Sequence, residues 1–153
     1  MEINLMFQEE FKYLIDEYDF YIQNEHQNKN CYEIIYLNST TGVQISYEYK
    51  ESYIFIILYR LEKGVLIKNP LNIKDESILY GYGLDDIINL RNPDAIIKPS
   101  YQYEENSVFF DGEKGFRLYV HCFAENLNKY ANDILLGDFS IFKELGQIVK
   151  NRI

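Results

Sequence analysis

Three runs with the character of β-strands follow one another between residues 31 and 61, separated only by short turn-forming segments. Residues 31–37 are rich in β-branched and aromatic side chains, and residues 43–49 alternate between apolar and polar side chains. Residues 53–61 are almost wholly apolar, which predicts a central strand covered on both faces. With 65–67 as a further strand, the short connections predict an antiparallel meander of three to four strands.

The segments around the meander carry weaker patterns. Apolar side chains recur at helical spacing over residues 4–18, which predicts an N-terminal helix. The polar stretch 23–30 interrupts this pattern and indicates a loop. After the meander, residues 84–90 predict a short helix that stops before an Asn-Pro pair. The mixed tyrosine and acidic stretch within 93–114 predicts a surface loop.

A strong helical pattern returns in the last third of the chain. Apolar side chains recur at alternating spacings of four and three, at Phe116, Val120, Phe123, Leu127, Tyr130 and Ile134. This predicts an amphipathic helix of about twenty residues. Gly137 is suited to end it, Asp138 to cap the next helix, and 139–149 carries a second apolar stripe. We therefore predict a single α+β domain over 1–153, with an N-terminal helix, the meander and a helical C-terminal half.

The charge balance limits the partners of such a domain. The 153 residues carry 15 Lys and Arg against 24 Asp and Glu, a net charge of −9, and 47% of residues are hydrophobic. The apolar content excludes a disordered tail, and the acidity argues against nucleic acid or anionic membrane as a partner. The N-terminus lacks the basic start and apolar run of a signal peptide, so we expect a cytoplasmic protein.

The chain is poor in residues that form metal and catalytic sites. Its only cysteines are Cys31 and Cys122, and its only histidines are His26 and His121. No Cys-x-x-Cys pair, nucleophile elbow or phosphate-binding loop is present. We therefore predict no metal, no cofactor and no catalytic residue.

Tyrosine interleaved with acid is the feature that points to an interaction surface. The chain has 15 tyrosines and no tryptophan. Acidic charge speeds encounter with a cationic partner, and aromatic anchors hold it after docking. The candidate partner-binding residues are Tyr47, Glu48, Tyr49, Asp85, Asp86, Tyr101, Tyr103, Glu104 and Glu105. The expected partner is a basic, toxin-like protein, although the same features also serve solubility.

The run 128–145, closing with 148–152, resembles the C-terminal end of small, largely uncharacterised bacterial proteins of the toxin–immunity type. The likeness centres on Leu-Gly-Asp-Phe-Ser at 136–140, and the strand pair 43–49 and 53–59 is similar to theirs. The resemblance implies a non-catalytic protein that neutralises a toxin by contact. The same kernel also has a structural explanation as the corner between two helices.

Two other functions stay open from the sequence. One is a small enzyme or ligand-binding domain with a pocket between the sheet and the C-terminal helices, for which a pocket joining His121 to Asp or Glu would argue. The other is a structural or regulatory subunit that self-associates through its strand edges, since unpaired edges are templates for further strands. The sequence does not determine the oligomeric state.

Overall fold

The strands between residues 31 and 61 form the middle of a five-stranded antiparallel sheet in the computed structural model, which describes residues 2–153. The strands are β1 (Tyr21–Gln27), β2 (Cys31–Leu37), β3 (Thr41–Glu48), β4 (Tyr53–Arg60) and β5 (Gly81–Gly83). They lie in the order β1-β2-β3-β4-β5, so each strand pairs with its neighbour along the chain. The predicted α+β class and antiparallel meander are confirmed.

Helices precede and follow the sheet. They are α1 (Ile3–Glu10), α2 (Tyr13–Tyr18), α3 (Leu84–Arg91), α4 (Gly112–Tyr130), α5 (Asn132–Leu135) and α6 (Phe142–Lys150). The stretch between α3 and α4 contains three single-turn 3-10 helices, at Pro93–Ala95, Ser100–Gln102 and Val108–Phe110. No helix within residues 2–153 is long and apolar enough to span a lipid bilayer.

The main core lies between one face of the sheet and the helices. Alternate strand residues point to the same face, and Ile34, Ile45 and Ile54 are buried there. Phe123 and Leu127 of α4 belong to the same buried cluster. On the opposite face, a small second cluster joins Ile35 and Leu37 to Leu61 and Leu66 of the segment after β4.

The polar stretch 23–30 is not wholly a loop, because residues up to Gln27 belong to the edge strand β1. All seven residues of β1 are exposed. The strand pairs with β2, with Ile22 opposite Tyr36 and Gln27 opposite Tyr32. Main-chain groups make these hydrogen bonds, so polar side chains do not prevent the pairing. Without a buried face, the strand leaves no hydrophobic pattern in the sequence.

Two short helices replace the single helix predicted over 4–18. The backbone leaves the helical conformation at Phe11, where φ is −100° and ψ is 12°, and α2 begins two residues later. Phe11 is nevertheless fully buried. The hydroxyl of Tyr13 donates to the carbonyl oxygen of Ala124 in α4 at 2.6 Å, which ties α2 to that helix. Periodicity identified the buried positions but not the turn between the helices.

The predictions for β4 and the strand beyond it need correction. β4 is not covered on both faces, because Phe55 on the outer face is 43% exposed. Residues 65–67 form no strand, and Val65 makes only an isolated antiparallel bridge with Glu62. The fourth pairing of the sheet comes instead from the three-residue strand β5, which is too short to leave a periodic pattern.

In the C-terminal half, the predicted buried positions are confirmed, but the residues at which the helices end and begin differ from the prediction. Val120 and Phe123 are buried as predicted, but the long helix ends at Tyr130 and α5 continues separately. Gly137 adopts a positive φ of 93°, as expected after a helix end. Asp138 does not cap α6. Its carboxylate instead accepts a 3.0 Å hydrogen bond from the backbone N–H of Ser140, within the turn before that helix.

Candidate functional site

A buried tyrosine anchors the 98–103 segment to the end of the sheet. The hydroxyl of Tyr119, in α4, donates to the carbonyl oxygen of Lys98 at 2.7 Å and lies 3.4 Å from that of Ser52. The backbone N–H of Ser100 donates to the same Ser52 oxygen at 3.0 Å. The loop that carries the predicted tyrosine and acid run is therefore fixed against the β3–β4 turn.

An aromatic chain supports this anchor. The ring of Tyr103 lies 5.0 Å from that of Phe109, which lies 5.2 Å from Tyr119, and both contacts are edge-to-face. Burial raises the pKa of the Tyr119 hydroxyl, and the nearby Tyr103, Tyr47 and Asp85 raise it further. Three of the predicted site residues therefore lie close enough to one buried hydroxyl to affect its ionisation.

The residues around the anchored loop present carboxylates and tyrosine to solvent. Tyr101 is 60% exposed, and Glu104 and Glu105 follow it on exposed backbone. Across the contact with Ser52 lie Glu48, the last residue of β3, and Glu51 of the β3–β4 turn. Among the described residues, none of these four glutamates takes part in an ion pair. We call Glu48, Tyr49, Glu51, Tyr101, Glu104 and Glu105 the tyrosine–acid surface.

Two of the predicted tyrosines, Tyr47 and Tyr49, are half-buried and pack against other aromatic rings. The half-buried ring of Tyr47 lies 5.0 Å from that of Phe116 and 6.2 Å from that of Phe7, so it belongs to the edge of the core. The ring of Tyr49 lies 5.5 Å from that of Tyr47. Tyr47 therefore connects Tyr49 of the tyrosine–acid surface to the aromatic side chains at the edge of the core.

Asp85 lies between this surface and a groove at the β4–β5 edge. It lies in the first turn of α3, and its carboxylate accepts a hydrogen bond from the hydroxyl of Tyr53. Burial raises the pKa of Asp85, and the hydrogen bond from Tyr53 partly offsets this rise. The ring of Tyr53 in turn lies 4.9 Å from the exposed ring of Phe55. Asp85 thus lines the groove, and Tyr53 connects it to the tyrosine hydroxyls around Tyr119.

Asp86 faces the groove and binds the guanidinium of Arg152. One nitrogen of Arg152 lies 2.5 Å from Oδ1 of Asp86, and the other lies 3.2 Å from Oδ2. The groove has a volume of about 510 Å³, and Phe55 and Ile57 contribute to its lining. A side chain at Gly83 would meet no atom closer than 4.0 Å, so this glycine leaves the groove open beside β5.

A second cluster of ionisable groups lies in the middle of α4, where this helix packs against α1, and was not predicted. Nδ1 of His121 lies 2.7 Å from Glu10 and Nε2 lies 2.6 Å from Glu125. Arg117 lies 2.9 Å from Glu9. The two glutamates raise the pKa of His121. The i,i+4 spacing of His121 and Glu125 was visible in the sequence, whereas the contact with α1 depends on the tertiary fold.

This histidine cluster acts chemically as a set of ion pairs that joins α1 to α4. His121 is 47% exposed and lines an open surface groove of about 390 Å³ with Glu10, Asp111 and Leu118. This groove joins His121 to carboxylates but has no lining residue from the sheet, so it is not the predicted pocket between the sheet and the C-terminal helices. Both ring nitrogens face carboxylates, so the arrangement favours the doubly protonated ring. His121 does not line the larger groove at the β4–β5 edge.

The thiols and metal-ligating groups are dispersed. Cys31 and Cys122 are both free and half-buried, and burial raises the pKa of the Cys122 thiol. Within residues 2–153, no three His, Cys, Asp or Glu side chains are grouped so that they could hold a metal ion. The side chains best placed for recognition are therefore those of the tyrosine–acid surface and the neighbouring groove.

No family model, no curated protein and no solved structure matches the chain. The functional proposal therefore rests on the charge, exposure and contacts of the surfaces described above.

Proposed function

We propose that this chain is a cytoplasmic, non-catalytic protein-binding module of the immunity type that neutralises a basic, toxin-like partner by contact. The observation that carries the proposal is the set of glutamates without ion pairs beside the exposed Tyr101. These carboxylates are available to a partner because no cation within residues 2–153 forms an ion pair with them. The resemblance of the 136–140 kernel to toxin–immunity proteins agrees with this proposal.

Electrostatics and packing have separate roles in such binding. The net charge of −9 attracts a cationic protein from a distance and speeds productive encounter. Tyr101 and the half-buried Tyr49 offer flat aromatic area that can anchor the complex once it has formed. The hydroxyl of Tyr119 holds the loop in place, which limits the entropy lost when the partner binds.

The arginines of the chain do not neutralise the tyrosine–acid surface, because most of them pair with other carboxylates. Three of its four arginines bind carboxylates elsewhere, since Arg91 pairs with Asp133, Arg117 with glutamates of α1, and Arg152 with Asp86. Two lysines lie within this region: Lys98 has its ammonium over the ring of Tyr103 at 5.1 Å, and the exposed Lys50 lies between Tyr49 and Glu51. Within residues 2–153 neither lysine forms an ion pair with the four glutamates, so a basic partner would supply the cations that pair with them.

The proposal is tested by co-expression with the product of the adjacent gene, followed by co-purification of the two proteins. We expect a complex with the wild-type chain. The double variant Glu104→Gln, Glu105→Gln should bind at least about ten-fold more weakly, because two charged contacts of a typical interface are lost. The control is Asp75→Asn, Glu76→Gln, which removes the same charge from two exposed residues that are not part of the tyrosine–acid surface.

Two results would contradict the proposal. The first is the absence of any complex with a neighbouring gene product that is itself basic and folded. The second is an equal loss of affinity in the two double variants, because net charge alone, and not this surface, would then account for binding.

A self-associating subunit is the second candidate function, favoured by the edge strand β1. All seven of its residues are exposed, and the strand lies at the end of the sheet. The register shift between Ile22 and Asn24 works against edge pairing, because a bulge disturbs the ladder that a further strand would extend. Light scattering over a range of concentrations distinguishes this candidate, which requires a mass above that of the 18.3 kDa monomer.

A further inference from the structure

We propose that the groove beside Asp86 receives an arginine side chain of the basic partner, and that Arg152 of this chain occupies that position until the partner displaces it. The inference rests on the proposed function, because it names the side chain by which a basic protein would be recognised. It places a second contact region next to the tyrosine–acid surface.

The contact between Arg152 and Asp86 shows which chemical group the groove accommodates. Two guanidinium nitrogens face two carboxylate oxygens, at 2.5 and 3.2 Å. This fork geometry matches the planar guanidinium of arginine and does not suit the single ammonium of lysine. The two oxygens of Asp86 are therefore oriented to accept both hydrogen bonds of one guanidinium, which favours arginine over lysine as the partner side chain.

Arg152 is held weakly enough to be exchanged. Its side chain is 54% exposed, whereas that of Asp86 is 21% exposed. An ion pair with one exposed member contributes little net stability, because water solvates the released guanidinium well. Arg152 also lies beyond the end of α6, in a turn whose residues 151–153 are all exposed. Its release does not require any buried side chain to move.

The rest of the groove offers contacts that Arg152 leaves unused. Phe55 remains 43% exposed with Arg152 in place. The three methylene groups of a partner arginine, or an apolar residue beside it, could cover this ring. Lys68 is the other cation on the groove wall, and Asp85 is already hydrogen-bonded to Tyr53. Exchange of one arginine for another keeps the charge of the groove unchanged, so the gain comes from covering Phe55.

The position of the groove allows one partner to contact both regions. Tyr53 is hydrogen-bonded to Asp85 and packs edge-to-face on Phe55 at 4.9 Å, so it contacts two residues that line the groove. The same hydroxyl lies near those of Tyr119 and Tyr103, which anchor the tyrosine–acid surface. A protein that docks on that surface can therefore direct an arginine into the groove.

The test uses the full-length chain and two blocked tripeptides followed by ¹⁵N NMR titration. The probe is Ala-Arg-Ala, and the control is the same peptide with citrulline, which has the shape of arginine without its charge. We expect the arginine peptide to shift the amide signals of Phe55, Asp86 and Arg152, and the citrulline peptide to leave them unchanged. Variant Arg152→Ala should bind the arginine peptide roughly 1.5- to 5-fold more tightly, since its competitor is gone.

The matched control is a variant that loses a similar arginine–carboxylate pair outside the groove. Arg91→Ala removes a similar fork, on Asp133, away from the groove, and should leave peptide affinity unchanged. Equal shifts from both peptides, or weaker binding by Arg152→Ala, would overturn the inference. The peptide comparison on the wild-type chain stands even if a variant fails to fold. A negative peptide result beside a complex that depends on Glu104 and Glu105 would refute the groove and leave the proposed function intact.

Discussion

Replacing Tyr119 with phenylalanine tests how the loop of the tyrosine–acid surface is held. The change deletes one hydroxyl and keeps the ring, which packs 5.2 Å from both Phe109 and Phe123. The hydroxyl donates at 2.7 Å to the carbonyl of Lys98 and approaches that of Ser52 at 3.4 Å. The variant should therefore loosen residues 98–103 without disturbing the core.

The size of the effect follows from the single strong hydrogen bond that is lost. Such a bond contributes about 0.5–1.5 kcal/mol, and here it is partly buried because the side chain of Tyr119 lies in the core. We therefore expect a loss within this range. For a domain of this size, 1 kcal/mol corresponds to roughly 2–4 °C in Tm.

Urea unfolding and amide hydrogen exchange measure the two parts of this prediction. The free energy of unfolding should fall slightly, and amides in 98–103 should exchange faster while those of β3 and β4 do not change. Tyr130→Phe is the control, because it removes a hydroxyl from the same helix that instead accepts a 2.9 Å hydrogen bond from Asn92. Equal exchange of 98–103 in the wild type and the Tyr119→Phe variant would refute the anchoring role.

Four further substitutions test other parts of the fold. Gly81→Ala should cost about 1–3 kcal/mol in urea unfolding, because its Cβ would lie 2.5 Å from the ring of Tyr59. Gly83→Ala, with no atom nearer than 4.0 Å, should stay within about 0.5 kcal/mol, and equal losses would contradict this. Tyr36→Phe should stabilise the fold by about 1 kcal/mol, since its buried hydroxyl has no partner in residues 2–153, and a loss of stability would count against that reasoning. His121→Gln should cost a few tenths of a kcal/mol below about pH 6.5, because two glutamates raise the pKa of the half-exposed ring. That cost should shrink as pH rises through the folded-state pKa, so a cost that grows with pH would contradict the assigned ion pairs.

The sequence predicted those elements that bury an apolar face. Alternation over 43–49 and helical spacing over 116–134 report which residues face the core, and the structure confirms strand β3 and helix α4 there. Strand β1 was missed because it is exposed on every residue, and its formation depends on main-chain pairing with β2. Strand β5 was missed because three residues are too few to show a period.

In the candidate site, the sequence likewise identified exposed residues but could not show their long-range contacts. Sequence composition singled out Tyr101, Glu104 and Glu105, which the structure places together on exposed backbone. It could not show that Asp85 pairs with Tyr53 or that Asp86 pairs with Arg152, because these partners lie 32 and 66 residues away along the chain. Contacts at such separations follow from the packing of α3 and α6 against β4 and β5, which no local pattern encodes.

The rate of association between this chain and the product of the adjacent gene, measured against salt concentration, tests the central claim most directly. If the tyrosine–acid surface recruits a basic partner, the association rate constant should fall at least about ten-fold between 50 and 500 mM salt. In the same experiment, Tyr101→Ala should raise the dissociation rate and leave association nearly unchanged. An association rate that does not depend on salt, or one that is unchanged in the Glu104→Gln, Glu105→Gln variant, would contradict recognition by this surface.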